Sequence, residues 1–303
     1  MRILFAGTPR VAADTLEALL ASPHEVVGVL TRPDAPRGRS SKLVPSEVAQ
    51  LAQDSGLEVL KLSAKDPALL ARVRELEPEA CPVVAYGGLL PQELLDVPRQ
   101  GWINVHYSLL PRWRGAAPVQ RAVEAGDALT GVSIFRIVKE LDAGPVFTQV
   151  EEPVDGRTSG ELLEALTGIG AAALLEVLDA LEAGTAKAVE QPTEGVTLAP
   201  KLTVAEAKLD WSRPAIELER QIRACNPAPS AWTMLSQTRV KILAASVVAE
   251  PILQPGFGLA MKHDFFVGTG EGTLALREVA PQGKKAMRAA DWGRGLHGEL
   301  RFG

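Results

Sequence analysis

Arg2-Ile3-Leu4-Phe5-Ala6-Gly7-Thr8-Pro9 is a short apolar run that stops at a glycine and a proline, and apolar residues at helical spacing follow it at Val11, Leu16, Leu19 and Leu20. The pattern reads as a buried strand, a tight turn and a helix. Outward from it, Val26-Val27-Gly28-Val29-Leu30, Leu57-Glu58-Val59-Leu60 and Ala80-Cys81-Pro82-Val83-Val84-Ala85-Tyr86 read as further strands, the last after the helix-like stretch 67–76. Short apolar strands separated by helical segments predict a doubly wound, mostly parallel sheet covered by helices on both faces, a Rossmann-like α/β arrangement. The helical spacing of 162–182 closes this first domain, expected over residues 1–185. Residues 186–206, broken by Gln191-Pro192-Thr193-Glu194-Gly195 and Ala199-Pro200-Lys201, read as a linker.

Beyond the linker, 216–225 reads as a short helix that stops before Asn226-Pro227. Short β-rich runs then alternate with glycine turns, at Val240-Lys241-Ile242-Leu243, Phe265-Phe266-Val267 and Leu274-Ala275-Leu276. A small antiparallel β-barrel, OB-like, is expected over 207–303. Gly268-Thr269-Gly270-Glu271-Gly272 lacks the helix of a nucleotide loop and reads as a hairpin turn.

The 303 residues are 46% hydrophobic and 23% charged, the balance of a globular chain rather than a disordered or fibrous one. No apolar run approaches the roughly 20 residues of a membrane span, and no secretory-type stretch begins the sequence, so a cytoplasmic protein without a membrane partner is expected. Cys81 and Cys225 lie far apart among apolar neighbours and fit reduced core thiols. The four histidines form no HxxxH pair and sit near no cysteine cluster, so no metal is expected. The net charge of −5 hides an asymmetry, because residues 207–303 carry 13 Lys or Arg against 9 Asp or Glu. A basic tail on an acidic body suits contact with an anionic partner, although scattered cations more often form a solvated face.

In doubly wound sheets ligands bind beyond the carboxyl ends of the strands. Gly7-Thr8-Pro9, Tyr86-Gly87-Gly88 and the segment after His106 are expected there. Neither GxGxxG after the first strand nor GxxxxGK[ST] occurs. Trp102-Ile103-Asn104-Val105-His106 has strand character, and its two-residue period puts Asn104 and His106 on one face. The strand-like 132–138 leads into a loop that carries Asp142. Ser108 sits in no GxSxG elbow, which argues against a serine hydrolase. An amide, an imidazole and a carboxylate without a nucleophile can stabilise an oxyanion and move a proton, which suits acyl transfer to an amine. From spacing alone, Asn-x-His is more often a satisfied structural pair.

These residues, with Phe5-Ala6-Gly7-Thr8-Pro9, Arg32-Pro33-Asp34, Ala85-Tyr86-Gly87, the string from Asn104 to Pro118 and Leu141-Asp142-Ala143-Gly144, resemble the methionyl-tRNA formyltransferase family nearly end to end. The resemblance implies formyl transfer from 10-formyltetrahydrofolate to the α-amine of methionyl initiator tRNA. It gives Asn104 and His106 the formyl oxygen, and Asp142 the orientation of His106 and help with the proton lost by the amine. It places the folate against Ser108, Leu109, Leu110 and Pro111, against Tyr86, Gly87, Gly88, Leu89 and Leu90, and against Val138 and Lys139. It assigns the tRNA acceptor stem to Arg32, Arg37, Arg39 and Lys42 of a Pro/Gly-punctuated basic loop, and RNA backbone contacts to Lys284, Lys285 and Arg288. The chain is expected to act as a monomer. Trp211 and Trp232 read as core or interdomain residues rather than base-stacking platforms.

The chain departs from the family where Ser40-Ser41 replace a glycine and a lysine, and at Arg10-Val11 and Ala143 with Pro145. None of these changes removes a side chain assigned to chemistry. Formylation of an amino sugar on a nucleotide carrier is an alternative that uses the same three residues. An RNA-binding module whose chemistry has decayed is a third reading, against which the intact triad speaks.

Overall fold

A computed structural model of the chain describes residues 1–36 and 41–303. They divide into two compact units, one made of 1–115, 129–153 and 163–198, the other of 116–128, 154–162 and 199–303.

The first unit holds a seven-stranded sheet in the order Val59–Leu60, Glu25–Leu30, Arg2–Gly7, Cys81–Val84, Trp102–His106, Leu129–Arg136, Val146–Pro153. The first five strands are parallel, and Leu129–Arg136 runs antiparallel to its neighbours on both sides. Helices cover both faces. Leu4, Ala6 and Trp102 lie in one apolar cluster with Leu69, Val73 and Leu76 of the helix Pro67–Leu76. On the opposite face Gly170 of the long helix Ser159–Glu182 approaches Val105 so closely that an added Cβ would stand 2.7 Å from its methyl. The mostly parallel Rossmann-like sheet expected from the sequence is therefore present, and Asn104 and His106 share the face of Trp102.

Residues 186–198 do not run free of this unit. Val189 and Val146 exchange backbone hydrogen bonds of 2.8 Å, and Arg114 pairs with Thr197 through its amide at 2.9 Å.

The second unit holds an antiparallel sheet in the order Ala231–Leu235, Thr238–Val248, Thr273–Pro281, Phe265–Gly268, Phe257–Ala260, Leu300–Arg301. Met234 and Gly303 exchange backbone hydrogen bonds of 3.0 Å, which joins the first strand to the last and curls the sheet into the expected barrel. Its core is aromatic: Phe265 stacks on Trp292 at 5.4 Å between centroids and meets Phe302 edge-on at 5.9 Å. Trp211 is buried there, its Nε1 donating to Thr233 Oγ1 at 2.9 Å. Trp232 donates to the Val204 carbonyl and carries the Arg239 guanidinium 3.9 Å above its ring. Gly268–Gly272 is a hairpin turn, closed by the Thr269 amide on the Gly272 carbonyl. Both cysteines are buried and free, and among the described residues no helix is long and apolar enough to cross a membrane.

Candidate active site

His106 ends its strand almost fully buried, at 5% exposure. Its Nε2 lies 2.8 Å from the Trp113 carbonyl, an oxygen that can only accept, so in the neutral ring Nε2 carries the proton. Nδ1 is thereby left unprotonated, and the Asp142 carboxylate lies 3.8 Å from it. Burial pushes the imidazole pKa below its ordinary value, while the Asp142 charge and the Trp113 carbonyl act the other way. The ring stands edge-on to Phe135, at 6.2 Å and 85°. Asn104, half-buried, precedes it by two positions on the same face.

Asp142 reaches this point by an unexpected route. The sequence places its loop at the carboxyl end of a strand, which is true of the strand itself. That strand runs antiparallel, however, so its end at Arg136 pairs with Ile103, and it is Ser133 that pairs with His106. The loop must therefore travel back along the sheet by three residues, roughly 10 Å. Asp142 turns at a φ of 47°, its Oδ2 accepts from the Gly115 amide at 2.8 Å, and its own carbonyl accepts from Gln191 Nε2 at 2.8 Å. Trp113, at a φ of 65°, is held by its amide on Thr197 Oγ1 at 2.9 Å. Gln191, Thr197 and the Trp113 carbonyl carry no signal a motif search would find, since two lie in the segment read as a linker and the third is backbone.

The turn Ser108–Pro111 is fixed from beneath. Ser133 Oγ donates to the Ser108 carbonyl at 2.6 Å and accepts from the Leu110 amide at 3.0 Å and from Gln149 at 2.9 Å. Ser108 is wholly buried and donates to the Arg112 carbonyl at 2.7 Å. Replacing Ser133 with alanine strands the Leu110 amide, and is expected to cost about 1–3 kcal/mol of stability. Chemical denaturation checks this, and an unchanged midpoint would contradict it.

Tyr86 is buried, and burial raises its phenol pKa against the opposing influence of Arg32. The carbonyl of Tyr86 accepts from Thr8 Oγ1 at 2.9 Å, and that of Gly87 from Arg32 at 3.0 Å, which ties three loops together beyond the parallel strands. Leu89 stands 79% exposed, Leu90 packs on the core, Val138 is half-buried and Lys139 is exposed. Arg32 and Lys42 are exposed, whereas Arg37 and Arg39 lie outside the described residues. Lys284, Lys285 and Arg288 are exposed around a turn of the barrel unit, with Arg288 3.9 Å from Asp291. A cavity of about 260 Å³ beside the site is lined by Leu110, Phe147, Gln149, Val189 and Gln191, among others.

The sheet and the site define the class of the formyl transferases. The formyl transferase family matches residues 1–178, and the formyl transferase C-terminal domain matches 201–297. Methionyl-tRNA formyltransferases of Streptomyces griseus subsp. griseus and of Thermobifida fusca are each 53% identical to this chain, over 99% and 100% of it and 99% of each relative. The chain belongs to the methionyl-tRNA formyltransferase family. Among solved structures WlaRD, a sugar 3N-formyl transferase determined in the presence of dTDP and 5-N-formyl-THF, aligns with a TM-score of 0.69 over 94% of this chain and 99% of that one, at 16% identity. That likeness speaks for the fold.

Proposed function

We propose that the chain transfers the formyl group of 10-formyltetrahydrofolate to the α-amine of methionyl initiator tRNA, in the cytoplasm and as a monomer. The observation that carries the chemistry is a buried His106 whose Nε2 lies on the Trp113 carbonyl and whose Nδ1 lies 3.8 Å from the Asp142 carboxylate. The relatives, alike over their whole length, support the choice of acceptor.

In this reading the neutral amine adds to the formyl carbon, and the Asn104 amide donates to the oxygen that becomes negative. Nε2 is committed to Trp113, so the ring meets the reaction through Nδ1, which takes the proton the amine loses. The imidazolium so formed is favoured by the adjacent carboxylate and by the Trp113 carbonyl. Nδ1–H then returns the proton to N10 of the folate as the C–N10 bond breaks, leaving N-formylmethionyl-tRNA and tetrahydrofolate. The sequence reading gives His106 the oxyanion directly, and the commitment of Nε2 moves its part to the proton. Ser108–Pro111, Tyr86–Leu90, Val138 and Lys139 form the folate pocket, with the exposed Leu89 as an apolar surface for its rings.

Arg32, Arg37, Arg39 and Lys42 meet the acceptor stem, and Lys284, Lys285 and Arg288 the RNA backbone. Changing Lys284 and Lys285 together to alanine is expected to weaken tRNA binding for all sequences alike, and to reduce the salt slope by about one per lost phosphate contact. Filter binding across salt concentrations reads this directly, and an unaltered slope would remove the two lysines from the interface. The function is tested by incubating the protein with 10-formyltetrahydrofolate and charged initiator tRNA, with charged elongator tRNA and an amino sugar nucleotide as rival acceptors. Formylmethionine on the initiator alone is expected, and preferential formylation of the sugar would overturn the reading.

A further inference from the structure

Gln191 lies between the two matched family segments, in a stretch whose composition reads as a connector. We infer that Gln191 is a positioning residue for formyl transfer: its carboxamide clamps the Asp142 turn to the Trp113–Gly115 turn and so keeps the carboxylate at Nδ1 of His106. The inference rests on the roles proposed above for His106 and Asp142.

Chemistry fixes which way the amide points. The Arg114 guanidinium only donates, and its Nε and Nη2 lie 3.1 and 2.6 Å from Oε1. Nε2 therefore faces the carbonyls of Asp142 and Gly144, which only accept, each at 2.8 Å. Both nitrogen hydrogens and the oxygen are used, so no other orientation satisfies the group. A non-glycine residue at a φ of 47° persists only where its surroundings over-determine it. At Asp142 those surroundings are Gln191 on its carbonyl and Gly115 on its carboxylate. Arg114, which anchors the other end of Gln191, directly follows Trp113, whose carbonyl holds Nε2 of His106. One side chain thus ties together the two groups that flank the imidazole. The sheet does not do this, because the strand before the Asp142 loop ends beside Ile103, well short of His106.

Two substitutions separate positioning from bulk. Gln191→Leu removes every hydrogen bond at similar size. Gln191→Glu keeps an oxygen for Arg114 but turns a second, negative oxygen on two carbonyls. Both are expected to lower kcat about a hundredfold, the cost of a misplacement near 1 Å, with KM for methionyl-tRNA within about threefold of wild type. In Gln191→Leu the imidazole of His106, followed by NMR on ¹⁵N-histidine-labelled protein, is expected to titrate at still lower pH, since the carboxylate that raises its pKa has moved away. A residue that served stability alone would lower the melting temperature and leave that titration in place. Wild-type kcat in Gln191→Leu, or an unmoved titration, overturns the inference. Asp142→Asn tests the underlying reading separately: if it retains full turnover, the role of Asp142 itself fails. If Asp142→Asn is impaired while Gln191→Leu is not, only the positioning role fails. Adding Gln191→Leu to Asp142→Asn is expected to cost less than about threefold more, because the two act through one group.

Discussion

His106→Ala is expected to lower kcat by about two to four orders of magnitude, the span attributed to a positioned general base, while the protein stays folded. The ring is poised to be neutral: burial disfavours its charged form, and the proton it carries sits on Nε2 against a carbonyl. Only a neutral ring can accept the proton of the amine, so wild-type activity falls on the acid side as Nδ1 protonates, at a pH below the usual histidine value of about 6.5. Above that limb the rate follows the free-base fraction of the amine, whose pKa is about 7.7–8.0 for an ordinary α-amino group and lower beside an ester. His106→Gln is therefore expected to flatten the acid limb that belongs to the ring and to keep the limb that belongs to the amine. The same burial links to stability. With a folded-state pKa below the unfolded one, the native protein binds fewer protons between the two values, so this contribution is complete above about pH 6.5 and is lost as pH falls through the folded value. Formyl transfer by His106→Ala at a near-normal rate, or an acid limb unchanged in His106→Gln, would remove the imidazole from the mechanism.

What could be read from the sequence, and what could not, follows from how each element is buried. Ile3–Ala6 and the strand ending at Leu30 lie under helices, so they appear as continuous apolar runs and declare a parallel sheet. The edge strand Val146–Pro153 alternates half-buried with exposed residues, Gln149 and Glu151 among them, and gives no such run. The apolar run at 132–138 shows a strand but not its direction, so the antiparallel pairing of Leu129–Arg136 with Trp102–His106, and with it the distance the Asp142 loop has to cover, is not legible in the sequence. Asn104 and His106 follow directly from the strand period, a local property. The partners of His106 are a backbone carbonyl and a residue 36 positions away, held by Gln191 from a segment whose prolines and glycines conceal its packing. Spacing cannot express such contacts, because they depend on where two loops return. The barrel was readable from its short runs and glycine turns, whereas its closure through the backbones of Met234 and Gly303 uses no side chain.

Gly144→Ala is expected to be the most disruptive change of a single methyl group in the loop that carries Asp142. A Cβ built at this position falls 1.8 Å from the Arg136 carbonyl oxygen, and backbone on that side has no flexible end to swing away. The contact exists because the loop doubles back on the strand it has just left: the Arg136 amide donates to the Pro145 carbonyl at 2.9 Å, and Gly144 lies in the angle between them. To admit a methyl group the loop must lift by 1 Å or more, roughly the difference from ordinary van der Waals contact. The lift acts where Gln191 holds the carbonyls of Gly144 and Asp142, and it carries Asp142 away from Nδ1. A displacement of that size costs about a hundredfold in rate, and overpacking a buried site costs about 1–3 kcal/mol in stability. The two losses separate experimentally. If the loop matters only for stability, kcat measured well below the melting temperature stays near wild type while the unfolding midpoint drops. If it places the carboxylate, kcat falls about a hundredfold in protein that is still fully folded, and the titration of His106 moves as it does in Gln191→Leu. A variant with the stability and the kcat of wild type would show that the loop accepts a side chain here, and that the closeness of Gly144 to Arg136 does not determine where Asp142 sits.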